Sequence, residues 1–465
     1  MAGWVEELYL RLPVGRDLAA TVKGLLLKRQ RYGPHFHDAL PGIRERDQWT
    51  RSRLDEYQAE RLVHLLGVAS RTRYYRRVFE QHGIDPATIR TPADLRRLPI
   101  LEKDDLRRQP LDLVDERFDP ARLIEDRSSG TTGTPVRLFV SRSTLQTHFA
   151  YFEVRSRAAT GLHFGELPYV MFGARRVVPL DRDRPPFWCY NHASRQLYMS
   201  AYHLGARYLD HYCQELRRRR YHALMGYPSV ISTVARHILD NGIRDIRIPV
   251  TITQGEMMSP RQRMDIEAAF QSRVFEQYGC SEICVFAQEC ARGKMHASID
   301  YGLLEILDDS GNPAAPGVTG HVVCTGLVND AQPLIRYRLG DMAAWSVRGC
   351  DCGSAMPVLA AIEGRTANAI VLPDGRRVYR VTTIAENIPA IQECQIVQQD
   401  LHRFTILVAA GPSFTPADSE QLRTNLADCV GHAAEIRVDR CERIPRGPNG
   451  KFAFIVSKVT ASRPE

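Results

Sequence analysis

The chain has 465 residues, of which 44% are hydrophobic and 25% charged, and its formal net charge is +8. This length is too great for one ordinary hydrophobic core, so we expect two or three domains. The arginines are spread along the chain without the signature of a nucleic-acid-binding module, which argues against a nucleic-acid partner. Glu6 and Glu7 stand where a secretory signal would be basic, and no long uncharged apolar run follows. We therefore expect a cytoplasmic protein without stable membrane insertion.

Three regions follow one another along the chain. Residues 1–115 show helical periodicity, and residues 116–363 alternate short apolar runs with helix-like segments, for example 223–227, 229–240, 250–253 and 260–270. Such alternation predicts an α/β domain with strands that lead into loops. Residues 364–465 combine strand-like runs with one helix at 416–430, which is typical of a small α+β domain. The predicted fold is thus a large α/β domain with a helical N-terminal region and a small α+β C-terminal domain.

A hydroxyl- and glycine-rich stretch at residues 128–135 precedes a strand-like run at 136–140. Its backbone N–H and side-chain O–H groups could converge on phosphate oxygens, although it lacks the Gly-Lys-Ser/Thr of a Walker loop. A plain flexible loop explains the same composition. The candidate phosphate-binding residues are Ser128, Ser129, Gly130, Thr131, Thr132, Gly133 and Thr134.

Four further motifs follow this stretch in order: Tyr-Gly-Cys-Ser-Glu at 278–282, Arg-Tyr-Arg-Leu-Gly-Asp at 336–341, Gly-Arg at 364–365 and Ile-Pro-Arg-Gly-Pro-Asn-Gly-Lys at 444–451. Together with the 128–135 stretch, they resemble the acyl-adenylate-forming ligases of the phenylacetate-CoA ligase branch. The arrangement also resembles the relatives associated with capsule polysaccharides. The motifs extend over most of the chain.

This resemblance implies roles for individual residues. The 128–135 loop would hold the β- and γ-phosphates of ATP. Thr131 and Glu282 are counted as catalytic, and Glu282 would also bind Mg²⁺. Asp341 would accept both ribose hydroxyls. Tyr278, Gly279, Ser281 and Arg365 would lie at the nucleotide, with Gly255 and Glu256 on the other side of the adenine ring.

Lys451 is the predicted catalytic cation of the adenylation step. A lysine at the tip of a glycine-containing turn can reach a carboxylate and the α-phosphate together. A simple β-turn at 448–451 is the alternative.

Gly364 and Arg365 resemble the pivot about which the family rotates its small domain, but Ala367 and Asn368 replace the aspartates usual there, so the pivot position stays open.

Eleven cysteines in a chain without a secretory signal favour reduced thiols or metal ligands over disulfides. Cys290, His296, Cys350 and Cys352 form a Cys₃His set that would suit structural Zn²⁺, and similar patterns occur in some relatives. Cys284 is a substitute ligand, and scattered buried cysteines are the alternative interpretation.

The resemblance implies ATP-dependent activation of a carboxylic acid, aromatic or aryl-acetic, to an acyl-adenylate, followed by transfer to coenzyme A. Two alternatives keep the adenylate chemistry: an amine or aminosugar acceptor, or AMP transfer to a cofactor hydroxyl. A non-catalytic nucleotide-binding scaffold is a rival from a different class.

Residues 164–202, rich in proline, aromatic and arginine side chains, are a candidate wall of the acyl pocket. A homodimer is left open.

Overall fold

The computed structural model describes residues 15–127, 136–157, 160–163, 166–173, 176–365, 369–374, 376–378, 381–385, 388, 390–447 and 451–459. The 128–135 stretch, which includes Thr131, therefore lies outside the described residues, as do Ala367 and Asn368.

The N-terminal region is helical. Its helices are α1 (Arg16–Arg31), α2 (Pro34–Arg46), α3 (Arg51–Ala69), α4 (Arg73–His82) and α5 (Lys103–Arg108). The side chain of Thr50 accepts a hydrogen bond from the Arg53 backbone N–H and so caps α3, and Thr72 caps α4 in the same way. Apolar side chains of α3 and α4 pack in one core cluster with buried residues of the large sheet, such as Val322 and Tyr337.

Two short strands come next, β1 (Ile124–Arg127) and β2 (Arg137–Val140), which pair antiparallel on either side of the 128–135 stretch. The strand expected at 136–140 is confirmed. Helix α6 (Arg142–Tyr151) begins at Ser141, whose side chain accepts from the Thr144 backbone N–H, and a π-helical turn, Phe152–Arg157, continues it.

Twelve strands of the described residues form one mixed sheet. They are β3 (Tyr169–Gly173), β4 (Trp188–Asn191), β5 (Gln196–Ser200), β6 (Ala223–Gly226), β7 (Val250–Gln254), β8 (Arg273–Gly279), β9 (Phe286–Glu289), β10 (Met295–Ala297), β11 (Gly302–Leu307), β12 (Gly320–Gly326), β13 (Tyr337–Trp345) and β14 (Val358–Arg365). Their order across the sheet is β11-β12-β13-β14-β10-β9-β8-β7-β6-β3-β5-β4.

The sheet changes character along its width. Strands β5, β3, β6, β7 and β8 are parallel, and helices α7 (Ala206–Arg218), α8 (Pro228–Asp240) and α9 (Pro260–Phe270) are their connections. All four residues of β6 are buried, as expected for a parallel strand covered on both faces. From β8 onward the pairings through β9, β10, β14, β13, β12 and β11 are antiparallel.

The C-terminal region has its own sheet and core. Strands β15 (Ile370–Val371) and β16 (Arg377–Val378) form a small hairpin. Strands β17 (Ile391–Gln398), β18 (Arg403–Ala410), β19 (Glu435–Cys441) and β20 (Ile455–Ser457) form a four-stranded sheet in the order β19-β18-β17-β20. Helix α10 (Pro416–Val430), capped by Thr415 and Asp418, packs Leu422 and Leu426 into this core.

The fold class expected from the sequence is confirmed: a large α/β domain with a helical N-terminal region and a distinct small α+β domain at the C-terminus. Among the described residues, no helix combines the length and the apolar character that crossing a bilayer requires.

Candidate active site

The candidate site begins where the parallel strands β6, β7 and β8 end. Gly226 pairs with Thr253, and Gln254 with Gln277, so the residues that follow these strands meet at one edge of the sheet. In open α/β sheets, ligands bind in the crevice outside this edge. Tyr227 follows β6 directly, Gly255 and Glu256 follow β7, and Tyr278 and Gly279 end β8.

Lys451 reaches this edge from the C-terminal region. Its Nζ atom lies 5.6 Å from the centroid of the Tyr227 ring. The same atom is 3.3 Å from the position that a Cβ atom on Gly255 would occupy. Gly255 has φ +80°, and its added Cβ would also come within 2.9 Å of Tyr227 Cε1. Only a residue without a side chain allows the ammonium group and the tyrosine ring to approach the backbone so closely.

Glu256 anchors the segment next to Lys451. Its Oε1 accepts a hydrogen bond from the Phe452 backbone N–H, and its Oε2 accepts one from the Ser229 backbone N–H at 3.2 Å. Desolvation raises the pKa of Glu256, while these N–H donors and the Arg446 guanidinium act in the opposite direction. Arg446 stacks on Phe452, with its Cζ 5.0 Å from the ring centroid. The anchor therefore joins the end of β7, the first turn of α8 and the lysine segment.

Tyr278 and Asp341 meet across the sheet. The Tyr278 hydroxyl donates to Asp341 Oδ2 at 2.8 Å, although 63 residues separate them in the chain. Burial and the Asp341 carboxylate together raise the pKa of Tyr278 well above its ordinary value, so the phenol stays protonated and remains a donor. Asp341 also stands opposite Arg365 in the β13–β14 ladder, so the Gly-Arg motif pairs with the strand that carries this carboxylate.

Glu282 lies in the turn after β8 and is only 6% exposed. The Tyr337 hydroxyl donates to its Oε1 at 3.3 Å. Tyr337 begins β13, the strand that also carries Asp341. A carboxylate has several lone pairs, so one hydrogen bond leaves acceptor capacity, and the site fits a hard cation such as Mg²⁺. Ser281, the neighbour of Glu282, is exposed at the same turn.

A second cluster consists of Cys290, His296, Cys350 and Cys352, whose ligand atoms all lie within 4.8 Å of one another. The Cys290 and Cys350 sulfurs are 3.7 Å apart, and Cys352 Sγ is 3.4 Å from His296 Nε2. Tetrahedral zinc with bonds of about 2.3 Å to sulfur places its sulfurs roughly 3.8 Å apart, so the separation fits.

The orientation of His296 fits a metal ligand as well. Its Nδ1 lies 2.9 Å from the Met356 carbonyl oxygen. A carbonyl oxygen can only accept, so Nδ1 carries the proton and Nε2 presents its lone pair to the thiols. The hairpin between β9 and β10 supplies Cys290 and His296, and the β13–β14 connection supplies the two other cysteines.

Cys284 does not substitute in this cluster, and that expectation was wrong. Cys284 is fully buried, and its sulfur contacts those of Cys324 at 2.7 Å and Cys280 at 3.4 Å. Burial raises the pKa of Cys280 and Cys284 well above the ordinary thiol value and that of Cys324 to about 11. A raised pKa keeps these three thiols protonated, and a protonated thiol is a poor nucleophile and a poor metal ligand.

The structure thus joins most of the site residues taken from the sequence. Gly255 and Glu256 contact Lys451 and Phe452, Tyr278 contacts Asp341, and Gly279, Ser281 and Glu282 follow on the same turn. Three residues received no role from the sequence: Tyr227, Tyr337 and Arg446. Tyr337 and Arg446 lie inside the motifs at 336–341 and 444–451, whereas nothing in the sequence distinguished Tyr227 from other strand-end residues.

Comparisons with known proteins show which families this chain is similar to. Residues 370–458 match the family described as the CapK C-terminal domain. Protein CapK of Staphylococcus aureus is 25% identical over 458 residues, which cover 96% of this chain and 97% of that protein. Phenylacetate-coenzyme A ligase of Thermus thermophilus is 27% identical over 353 residues, covering 73% of this chain and 77% of that enzyme.

Among solved structures, 2-hydroxyisobutyryl-CoA ligase in its postadenylation state, in complex with 2-HIB-AMP, superimposes with a TM-score of 0.70. The sequence identity is 19%, and the match covers 89% of this chain and 91% of that one. At this identity the likeness establishes the fold.

The relatives named phenylacetate-coenzyme A ligase, together with the fold shared with a CoA ligase, support the class of AMP-forming ligases. With the relatives above, the chain falls in the acyl-adenylate-forming superfamily, and CapK and phenylacetate-coenzyme A ligase are among its relatives.

Proposed function

We propose that the protein activates a carboxylic acid with ATP to an acyl-adenylate, releases pyrophosphate, and then transfers the acyl group to the thiol of coenzyme A. The observation that carries the proposal is the position of Lys451, whose Nζ lies beside Gly255 and Tyr227 at the edge of the parallel strands. A scaffold without chemistry has no need to bring an ammonium group from a separate sheet to this edge.

In the first step, a carboxylate oxygen attacks the α-phosphorus of ATP, and the bond to the pyrophosphate oxygen breaks. Negative charge accumulates on the α-phosphate oxygens, and preorganised cations lower this barrier most effectively. Lys451 Nζ donates to the carboxylate and the α-phosphate together. Glu256 holds the backbone of Phe452, so the lysine does not have to be ordered at the moment of reaction.

Asp341 positions the nucleotide. Its carboxylate accepts the two ribose hydroxyls, while the Tyr278 hydroxyl, already within 2.8 Å, holds it in place. Tyr278 and the backbone at Gly255 and Glu256 flank the adenine ring. Glu282, which accepts a hydrogen bond from Tyr337, would hold Mg²⁺, and residues 128–134 would hold the β- and γ-phosphates. When bound, the magnesium ion neutralises phosphate charge.

In the second step, the thiol attacks the acyl carbon, AMP leaves, and the thiol proton passes to solvent. We propose that the small domain, residues 364–465, turns about the Gly364–Arg365 region between the two steps, while residues 1–115 and 116–363 stay together as the large domain. Gly364 has φ +81° at the end of the last strand of the large sheet, which supports a pivot there.

We further propose that the Cys₃His cluster holds a structural zinc ion. The ion would tie the β9–β10 hairpin, next to the Glu282 turn, to the β13–β14 connection that follows Asp341. It takes no part in the reaction, because four protein ligands fill a tetrahedral site.

The experiment that tests the proposal is acid-dependent ATP–pyrophosphate exchange over a broad panel of carboxylic acids, followed by product analysis with coenzyme A and with amines. Exchange together with acyl-CoA and AMP as products supports it. An amide product identifies an amine acceptor instead, and AMP bound covalently to the product identifies transfer to a hydroxyl. ATP binding without exchange for any acid contradicts the proposal and favours a scaffold.

A further inference from the structure

A cavity of about 200 Å³ opens next to the candidate site and lies between α1, the turn after α6 and the face of the large sheet. Gln254 lines one part of it, and at the next residue, Gly255, an added Cβ would lie 3.3 Å from Lys451 Nζ. Met225 also lines it, two residues before Tyr227. The cavity therefore starts at the reacting edge, where the body of an activated acid would enter.

The wall of this cavity is aromatic and cationic at the same time. Phe149, Phe152, Tyr169 and Tyr198 supply ring surfaces, which suit a flat or extended apolar body. Lys28, Arg31 and Arg157 supply three cationic side chains. Of the described residues that line the cavity, none is an aspartate or a glutamate. An acid with a purely apolar body would leave these charges facing hydrocarbon, which is unfavourable.

Arg157 is the most buried of the three cations, with a side chain that is 9% exposed. It donates to Tyr32 Oη at 3.1 Å and to Glu153 Oε2 at 3.3 Å. Glu153 is itself shared with His163, whose Nδ1 lies 3.2 Å from its other oxygen. Glu153 thus pairs with Arg157 from behind the wall, while the described residues that line the cavity add Lys28 and Arg31 and no carboxylate, so the described lining is positively charged.

The cation Arg157 lies far along the sheet from the end of the cavity that adjoins Lys451. Tyr169 begins β3 and is close enough to Arg157 for the guanidinium to lower the pKa of its phenol against the larger effect of burial. In the sheet register Tyr169 stands level with Ala223 and Val250, whereas Gln254 lies four residues further along β7. Four residues of strand correspond to about 13 Å. Arg31, the last residue of α1, lies over the Phe149 ring, with its Cζ 4.5 Å from the ring centroid.

We infer that the acid activated by this protein carries a second anionic group, a carboxylate or an equivalent acidic substituent, at the end remote from the reacting carboxylate. This deepens the proposed function and rests on it. The reacting carboxylate meets Lys451, the body of the acid lies among the aromatic rings, and the second anion meets Arg157 and Arg31. A charge-assisted contact of this kind discriminates about tenfold or more between substrates.

The test compares matched acids in ATP–pyrophosphate exchange with the full-length enzyme: phenylacetate with 1,4-phenylenediacetate, and octanoate with suberate. The inference expects a kcat/KM at least about tenfold higher for the dianionic member of a pair. Equal or better exchange with the monoanionic members overturns it and leaves the proposed function intact. Exchange with no acid of either kind overturns the proposed function itself.

Variants of α1 test the assignment to residues. Arg31→Met should lower the ratio of kcat/KM for the dianionic acid to kcat/KM for the monoanionic acid by about tenfold. Arg29→Met is the matched control, because Arg29 is exposed on the same helix and does not line this cavity. An unchanged preference in Arg31→Met, or an equal loss in both variants, contradicts the role of Arg31. The wild-type comparison of acid pairs stands independently of whether any variant folds.

Discussion

Each charged residue at the candidate site has a neighbour that fixes its position. Lys451 lies over the Tyr227 ring, and its segment is anchored through the Phe452 N–H to Glu256. Asp341 is held by the Tyr278 hydroxyl, and Glu282 by Tyr337. Catalysis by electrostatic preorganisation depends on such supports as much as on the charges, since an unsupported side chain has to be ordered during the reaction.

Removal of the lysine charge gives the first prediction. In Lys451→Ala, acid-dependent pyrophosphate exchange should fall by roughly 10²- to 10³-fold, because one preorganised charge is lost from the transition state. Lys458→Ala, at an exposed position seven residues further on, is the control and should keep full activity. Exchange in Lys451→Ala that stays within a few-fold of the wild-type rate would show that the lysine belongs only to a turn.

The second prediction concerns nucleotide binding. Asp341→Asn should raise the KM for ATP by about 10- to 100-fold, because charge-assisted acceptance of ribose hydroxyls is lost. Tyr278→Phe keeps the ring and removes the 2.8 Å hydrogen bond, so the KM should rise only by roughly fivefold. Steady-state kinetics with ATP varied at saturating acid provides both values. A larger effect for Tyr278→Phe than for Asp341→Asn would reverse the assignment of the ribose acceptor.

At the scale of elements, β13 organises the site. It carries Tyr337 at its start and Asp341 in its middle, and the connection to β14 carries Cys350 and Cys352. Two β-bulges interrupt the β13–β14 ladder, between Met342 and Ala343 and between Ala344 and Trp345. Bulges change the direction of side chains locally, and here they lie between Asp341 and the end of β13 that leads to the cysteines.

The proposed zinc site gives the third prediction. The purified protein should contain about one equivalent of zinc. Cys352→Ser should lose the metal and lower the melting temperature, because ligands of a structural site stabilise only the folded state. Cys429→Ser, half-buried on α10, should change neither. Less than about half an equivalent in wild type, with all four thiols free to react, would exclude the site.

Helices and strands with clear apolar periodicity could be predicted from the sequence, but the strands that pair with one another in the sheet could not. The helices at 229–240 and 260–270 and the strand at 250–253 follow from apolar periodicity and match α8, α9 and β7 to within a residue or so. The junction of parallel β8 with antiparallel β9, and the place of β14 between β13 and β10, depend on long-range pairing that periodicity does not encode.

The same division holds for the site. Lys451, Glu282 and Asp341 came from a resemblance between motifs, and the four metal-cluster residues from the chemistry of thiols and imidazole. The Glu256 anchor, the position of Tyr227 and the cationic cavity depend on side chains from separate elements that meet only in the folded chain. A charged residue such as Arg157 in an amphipathic stretch gives no sign of the cavity it will line.

At the scale of the whole molecule, polar contacts hold the C-terminal region against the large domain. Besides the contact between Glu256 and Phe452, Arg443 Nη1 donates to the Tyr202 carbonyl oxygen at 2.6 Å, and Thr233 Oγ1 donates to Glu393 at 3.3 Å. Interfaces of this kind exchange readily for water, unlike a shared apolar core, and suit a domain that has to separate.

Glu256→Gln gives the fourth prediction. The amide can accept only one of the two backbone N–H groups, so the lysine segment loses part of its anchor. Adenylation should slow by roughly tenfold, while acyl transfer from synthetic acyl-adenylate to coenzyme A should stay within twofold. Separate assays of the two half-reactions measure this. The exposed Glu60→Gln is the control. Equal losses in both half-reactions would mean that Glu256 serves the fold and not the adenylation arrangement.

The fifth prediction concerns pH. Because burial raises the pKa of Glu256, the carboxyl takes up a proton at a pH above the ordinary glutamate range, and its anchoring of Phe452 weakens there. The folded form binds this proton more tightly than the unfolded form, so the stability contributed by this group increases as the pH falls. The acid limb of pyrophosphate exchange should therefore precede unfolding, and it should be absent in Glu256→Gln. An identical limb in both proteins would assign it to another group.

The pairing of β20 with β17 has a mechanical meaning. Ile455 lies opposite Ile396 in a parallel ladder, only four residues after Lys451. The lysine is thus attached by a very short tether to the edge strand of the small sheet, and it cannot retreat far unless that sheet moves as a body. A movement of the small sheet as a rigid body would therefore move the ammonium group of Lys451 with it. On the proposed function, substitutions in the surface of the large domain that the small sheet contacts should change the preferred acyl acceptor, while every group that forms the adenylate stays unchanged.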